Sequence, residues 1–306
     1  MGSREAFGAR YATRRILLLS WVLVSALLAL LGMNPDVAHA STLQRHGALV
    51  QDDARRAEHG ALQRDGIGII SHRGAAAIAP ENTLAAMRIA FEQGVDFVET
   101  DVQLTADGVP VLMHDETVDR TTSGGGAVAR WTLAELRTLD AGGWFSADFA
   151  GERVPTFEEF VDELAPTTSR ALVELKGPWD AEQVEQVVEL LRERHLVNRV
   201  ALQSFEVPTL EILGEVAPEC ARVMLTREWD RRTAELAVLL QVSAVGARAK
   251  LFDARPELIA EVQALGIGTL VYTLNSSPQW MQAAERGIDL VITDDPIAFA
   301  AWREGQ

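Results

Sequence analysis

The chain is short of the residues that several common functions require. Its single cysteine, Cys220, excludes an intramolecular disulfide and makes a metal–thiolate centre untenable. In "ECARVMLT" that cysteine heads an apolar run and reads as a small buried hydrophobe. Positive charge is scarce as well: 28 Lys and Arg stand against 44 Asp and Glu, a formal net charge of -16. A nucleic-acid partner is thereby excluded, because it needs a basic face to neutralise phosphates. An anionic small molecule would need local cationic help. No glycine-rich dinucleotide fingerprint is present, since "SGGGAV" (123–128) neither follows a strand nor opens a helix and reads as a loop. No apolar run reaches the ~20 residues that a membrane-spanning helix needs.

What is present begins with a leader. Arg4, Arg10, Arg14 and Arg15 make a basic start, residues 16–31 are almost wholly apolar, and "VAHA" (37–40) carries the A-x-A pattern of a signal-peptidase site. Asn34-Pro35-Asp36 interrupts the apolar stretch, which argues against an uncleaved anchor. Residues 1–40 are therefore predicted to be a signal peptide, removed on export to the periplasm, cell envelope or medium and leaving no stable membrane span. "TRRILLL" fits a twin-arginine signal as well as an ordinary one, and no cysteine follows for lipid attachment. Residues 41–65 are polar without a sustained hydrophobic period and read as a tether, so one folded domain is expected over 66–306.

Within that domain eight short apolar runs, "IGIIS", "FVETDV", "ALVELK", "RVALQSF", "ARVMLT", "SAVGARA", "TLVYTLN" and "LVIT", alternate with helical patterns. In "WDAEQVEQVVELLRERH" Asp180 is an N-cap, and Val184, Val187, Val188 and Leu191 form one apolar stripe. Ser277-Pro278 opens a later helix and Gly287 closes it, while "TLAE" (132–135) and "TFEE" (156–159) are capping boxes. The series predicts an α/β fold, a closed (β/α)8 TIM barrel, with a doubly wound open sheet as the alternative. Asp107-Gly108 predicts a two-residue turn, so "VPVLMH" should run back as a β-hairpin extension after the second strand and bring His114 level with Asp101.

Glu99 and Asp101 are spaced i, i+2 on a strand and leave the same face; Glu174 and Lys176 repeat that spacing on the next barrel strand. At the C-terminal ends of barrel strands the inward face is the site face. Three converging carboxylates without thiols or clustered histidines call for a hard divalent ion, Ca2+ or Mg2+. Of six histidines, His39, His46 and His59 lie in the leader or arm and His195 ends a helix; only His72 and His114 fall at strand ends on the rim. Two rim histidines suit general acid and base catalysis, and the Arg73 fork suits a phosphate. A metal site, an arginine and a histidine pair are the apparatus of phosphoryl transfer between oxygens.

"HRG" with "PENT", "ETDVQLTADGVPVLMHDETVDRTTSG", "WFSADFAGERVPTFEEF", "VELK", "LQSF" and "GIDLVITDDP" resemble, in order, the motifs of the glycerophosphodiester phosphodiesterase family. The resemblance implies a TIM barrel and metal-dependent hydrolysis of small-molecule glycerophosphodiesters, such as glycerophosphocholine and glycerophosphoethanolamine, to sn-glycerol 3-phosphate and an alcohol. It further implies Glu99, Asp101 and Glu174 as metal ligands, His72 and His114 as the acid/base pair, and Arg73 and Lys176 as phosphate-binding cations. Asn82 in "PENT" is implied to hold the rim, with an N-cap role as the other reading, and Gln203 in "LQSF" and Tyr272 to support the site. Tyr272 in "YTLN" stands where many members carry tryptophan. Related readings are a phospholipase D of the sphingomyelinase type and a non-catalytic glycerophosphodiester-binding protein.

Mass spectrometry of exported protein is expected to find its first residue at or near Ser41. Exported material that retains residues 1–40 would instead identify an anchor.

Overall fold

The computed structural model describes residues 62–305; the predicted signal peptide and most of the predicted tether lie outside them. Nine strands occur among the described residues: β1 (Gly68–Ser71), β2 (Phe97–Leu104), β3 (Pro110–Leu112), β4 (Ala171–Leu175), β5 (Val200–Ser204), β6 (Ala221–Leu225), β7 (Ala244–Arg248), β8 (Gly268–Tyr272) and β9 (Leu290–Thr293). All except β3 are parallel, and β1 pairs with both β2 and β9, so eight strands close into a barrel. Each of the eight apolar runs is one of these strands. Their near-continuous hydrophobicity reflects burial on both faces, under helices outside and packed side chains within.

Among the described residues the α-helices are α1 (Leu84–Glu92), α2 (Leu133–Leu136), α3 (Phe157–Leu164), α4 (Ala181–Glu193), α5 (Val207–Val216), α6 (Arg231–Leu239), α7 (Ala249–Ala254), α8 (Glu257–Gln263), α9 (Ser277–Glu285) and α10 (Pro296–Glu304). Asp180 caps α4, whose Val184, Val187, Val188 and Leu191 are all buried. Thr132 with Glu135 and Thr156 with Glu159 form the two capping boxes, at the starts of α2 and α3. Among the described residues no helix is long and apolar enough to cross a membrane.

Ile70, Phe97, Leu172, Val223, Leu270 and Leu290 fill the barrel together with the small Ala201 and Ala244. Leu62, only 2% exposed, joins this cluster. A Cβ on Gly268 would lie 2.5 Å from the Leu62 carbonyl oxygen, so only glycine lets the entering chain cross there. The Arg64 amide also donates to Asp289 Oδ1 at 2.9 Å. Packing therefore begins by Leu62, four residues before the expected boundary at Gly66; the polar "QRD" that follows Leu62 hides a single anchoring side chain.

The hairpin differs from expectation by one residue. Leu104 pairs with Pro110, the Thr105 amide donates to Val109 O, and Gly108, at φ +77°, donates to Thr105 O. The loop thus has three residues, 106–108, with glycine in the left-handed position, in place of the two-residue turn. Asp107 decides the outcome: its carboxylate accepts from Thr105 Oγ1 and from the Leu133 amide, tying the loop to α2. Asp101 consequently faces Met113, whose amide donates to its carbonyl at 3.0 Å, and His114 lies one residue further. Met113, Val111, Val118, Val128, Leu136 and Val154 form a second cluster that packs the hairpin against the segment following it.

Leu62→Ala is expected to destabilise the protein by about 2–4 kcal/mol in urea denaturation, as for a buried leucine with little room to collapse. A cost near zero would return residues 62–65 to the tether.

Candidate active site

Register across the β2–β4 pair sets Asp101 beside Glu174. With Glu99 they place one carboxylate oxygen each within 4.8 Å of the others. Glu99 and Asp101 are buried and Glu174 nearly so. Their neighbours hold each of them. Glu99 accepts from the Arg73 amide (2.9 Å) and Gln203 Nε2 (3.3 Å). Asp101 accepts from Asn82 Nδ2 at 2.9 Å, and Lys176 Nζ lies 3.4 Å from Asp101 and 3.3 Å from Glu174.

Asn82 is resolved between its two readings. Thr83 takes the N-cap of α1, accepting from the Ala86 amide, so Asn82 is free to turn inward. Buried and at φ +56°, it also accepts from Thr100 Oγ1 and the Asp101 amide, gripping the β2 strand end from both sides. Arg73 sits just beyond β1 at φ +53°; its Nη1 donates to Glu81 Oε1 at 2.7 Å and its Nε is 3.4 Å from Asp101.

Both rim histidines are oriented by carboxylates. His72 Nδ1 lies 2.5 Å from Asp294 Oδ1, and Asp294 is steadied by Asn275 Nδ2. His114 Nδ1 lies 2.7 Å from Asp115 Oδ1. A carboxylate at Nδ1 keeps the proton there and leaves Nε2 as the working nitrogen. Arg120 donates to Asp115 and to Glu81, and Glu81 in turn accepts from Arg73, so one chain of charges links His114 to the carboxylate cluster. Sequence reasoning missed Asp294, Asp115, Glu81, Arg120 and Asn275. Two of them carried a signal, since Asp294 directly follows β9 and Asp115 directly follows His114.

His72, Arg73, Glu99, Asp101, His114, Glu174, Lys176, Gln203 and Tyr272 all line one cleft of about 1330 Å³. Tyr272 reaches it from the far wall, where its hydroxyl donates to Thr226 O and its ring meets Phe205 edge-on. Every residue expected at the site is thus brought to it, with Asn82 directly behind Asp101.

The sequence matches the glycerophosphoryl diester phosphodiesterase family over residues 72–298. The chain belongs to that family. A glycerophosphodiester phosphodiesterase of Caldanaerobacter subterraneus is 34% identical over 235 residues, covering 74% of this chain and 94% of that one. The crystal structure of a glycerophosphodiester phosphodiesterase from Agrobacterium tumefaciens superposes with a TM-score of 0.67 at 33% identity, covering 77% of this chain and 99% of that one. An Oleispira antarctica phosphodiesterase, solved in complex with the product sn-glycerol-3-phosphate, has a TM-score of 0.71 at 29% identity over 78% of this chain and 96% of that one. The protein is accordingly an enzyme, a phosphoric diester hydrolase of the glycerophosphodiester phosphodiesterase type.

Charge at this phosphodiesterase site is out of balance in a way that fits a cation. Burial, and then repulsion from Asp101, pushes Glu99 well above the usual carboxylate range and Glu174 up to about 7. Burial works on Asp101 in the same direction but is outweighed by Lys176 and Arg73, which hold it at about 2. Burial lowers the His114 pKa, against the pull of Asp101. Three buried oxygen donors crowded together, two of them reluctant to ionise, suit a hard divalent ion, whose charge relieves the repulsion.

With its pKa raised from 4.5 to about 7, Glu174 holds a proton in the folded state that the unfolded chain has lost. The stability it contributes is therefore present below about pH 4.5 and lost as pH rises through 7. In chelator, Glu174→Gln is expected to gain roughly 1–3 kcal/mol on the parent protein between pH 5 and pH 8. Thermal melts of both proteins across that range read the difference; parallel curves would refute the crowded-carboxylate account.

Proposed function

We propose that this enzyme is exported and hydrolyses glycerophosphodiesters derived from deacylated phospholipids, including glycerophosphocholine and glycerophosphoethanolamine, to sn-glycerol 3-phosphate and an alcohol. The observation that carries the reading is the pairing, in one cleft, of two carboxylate-oriented histidines with Arg73, Lys176 and the Glu99–Asp101–Glu174 cluster. The product bound by the Oleispira relative supports the same substrate class.

Arg73 and Lys176 orient the diester and offset its negative charge, which becomes more concentrated on the phosphoryl oxygens as the reaction proceeds. His72 and His114 line the cleft with Nδ1 held by a carboxylate, which leaves Nε2 of one to take a proton from the attacking hydroxyl and of the other to give one to the departing alkoxide. Asp294 and Asp115 fix the tautomers and stabilise whichever imidazole becomes charged, much as the carboxylate of a catalytic triad does. Glu99, Asp101 and Glu174 would hold Ca2+ or Mg2+, which supplies charge neutralisation and lowers the pKa of a hydroxyl near it. The attacking hydroxyl is either the substrate's own glycerol oxygen, giving a cyclic phosphate that water then opens, or water directly.

Release of glycerol 3-phosphate from glycerophosphocholine is expected to stop in chelator and return with added Ca2+ or Mg2+. Glu99→Gln should remain folded and inactive. The histidines divide by leaving group. Losing the acid should harm the choline diester by about 10²–10⁴-fold and a nitrophenyl diester far less, because nitrophenolate needs no proton; losing the base should harm both. Equal proportional losses in His72→Ala and His114→Ala would overturn the division. Full activity in either would make that histidine structural.

A further inference from the structure

The catalytic groups occupy one side of the cleft, on the ends of β1 to β4; the ends of β5 to β8 carry a different set. Phe205 follows β5, Arg227 follows β6, Arg248 ends β7 with Lys250 just beyond it, and Tyr272 ends β8; all five line the cleft. Arg227 stacks over the Phe205 ring with its guanidinium carbon 4.1 Å from the ring centre, and Phe205 meets Tyr272 edge-on. Arg227 is thus held on an aromatic floor and keeps its donors free.

Three cations gathered here lack a carboxylate partner. Most other arginines on the surface pair with carboxylates, as Arg88 does with Glu163 and Arg194 with Glu158 and Asp162. Among the described residues Arg227, Arg248 and Lys250 form no ion pair, although Glu116 and Glu206 share the cleft lining. The surrounding chain has a net charge of -16, so an unpaired cationic wall is not its background. The sequence contains only two lysines, Lys176 and Lys250, and both line this cleft. Lys176 is engaged by Asp101 and Glu174, which leaves Lys250 available.

We propose that the wall formed by Phe205, Arg227, Arg248, Lys250 and Tyr272 is a leaving-group subsite for an alcohol that carries an anionic group of its own, a phosphate or carboxylate. The inference rests on the reading above, that the cleft hydrolyses glycerophosphodiesters. In that reading Arg73 and Lys176 answer the reacting phosphate and the glycerol is neutral, so neither uses this wall. A cleft of about 1330 Å³ also has room for more than one small head group. The reaction is unchanged: the P–O bond to the anionic alcohol breaks, water supplies the hydroxyl to phosphorus and the proton to the alkoxide, and sn-glycerol 3-phosphate is released.

Three diesters with the same glycerol 3-phosphate end test this by initial rates: glycerophosphocholine (cationic alcohol), glycerophosphoglycerol (neutral) and glycerophosphoglycerophosphoglycerol, whose leaving alcohol carries a further phosphodiester. The anionic member should have a kcat/KM about tenfold above the neutral one and the choline diester should be the poorest, with the advantage shrinking as salt is added. Arg248→Gln combined with Lys250→Gln should erase that ratio. Arg248→Lys combined with Lys250→Arg should keep it, which separates charge from folding. Amine-directed labelling of Lys250 should fall when the anionic diester is present in chelator. Hydrolysis of all three without a charge preference, or a preference unmoved by the double glutamine variant, would overturn the subsite and leave the proposed function standing. Hydrolysis of none in the presence of a divalent ion would overturn the proposed function itself.

Discussion

Three carboxylates held within 4.8 Å of one another in a buried position repel strongly, and much of the surrounding structure serves to keep them there. Such a cluster cannot be held by its own strands alone, since Glu99 and Asp101 lie two residues apart on one face of β2 and their carboxylates would swing apart if the side chains were free. Asn82 clamps Asp101 through both ends of its amide, donating to the carboxylate and accepting from the Asp101 backbone N–H, the Arg73 amide and Gln203 fix Glu99, and Lys176 bridges Asp101 and Glu174. The left-handed backbone at Arg73 and Asn82 has its rationale here, because each residue must turn back towards the cluster within a short loop.

The same arrangement extends outward through charge. Arg73 touches Asp101 on one side and Glu81 on the other, Glu81 is shared with Arg120, and Arg120 reaches Asp115 behind His114. The position of a rim histidine is thereby tied to the cluster through alternating charges as well as through the hairpin backbone. Arg120 is itself partly exposed, so the energy of its individual pairs is small; what the network supplies is geometry. The hydrophobic cluster beneath the hairpin does the complementary work of fixing β3 against the segment that follows it.

The cleft is divided by strand number. The β1 to β4 ends carry the acids, the histidines and the cations committed to them, while the β5 to β8 ends carry aromatic rings and uncommitted positive charge. A barrel permits this division because each strand end contributes independently to one rim, so that loops on one side can change without disturbing the other.

Local pattern determined a great deal. The eight apolar runs, the capping boxes and the α4 stripe depend on hydrogen bonds and periodicities that span a few residues, and they are visible in the order of side chains. The i, i+2 spacing of Glu99 with Asp101 and of Glu174 with Lys176 fixed which face each would share. Placing the two pairs side by side needed the parallel register of β2 against β4. The tertiary structure alone decided which carboxylate meets which histidine, because Asp294 and His72 are joined by barrel closure across 222 residues. It also decided the hairpin register, since the competition between a two-residue and a three-residue loop was settled by Asp107 bonding to α2, a contact between separate elements. Leu62 marks the same limit: one apolar residue in a polar stretch has no periodicity to betray it, and only the closed floor of the barrel shows that it is core.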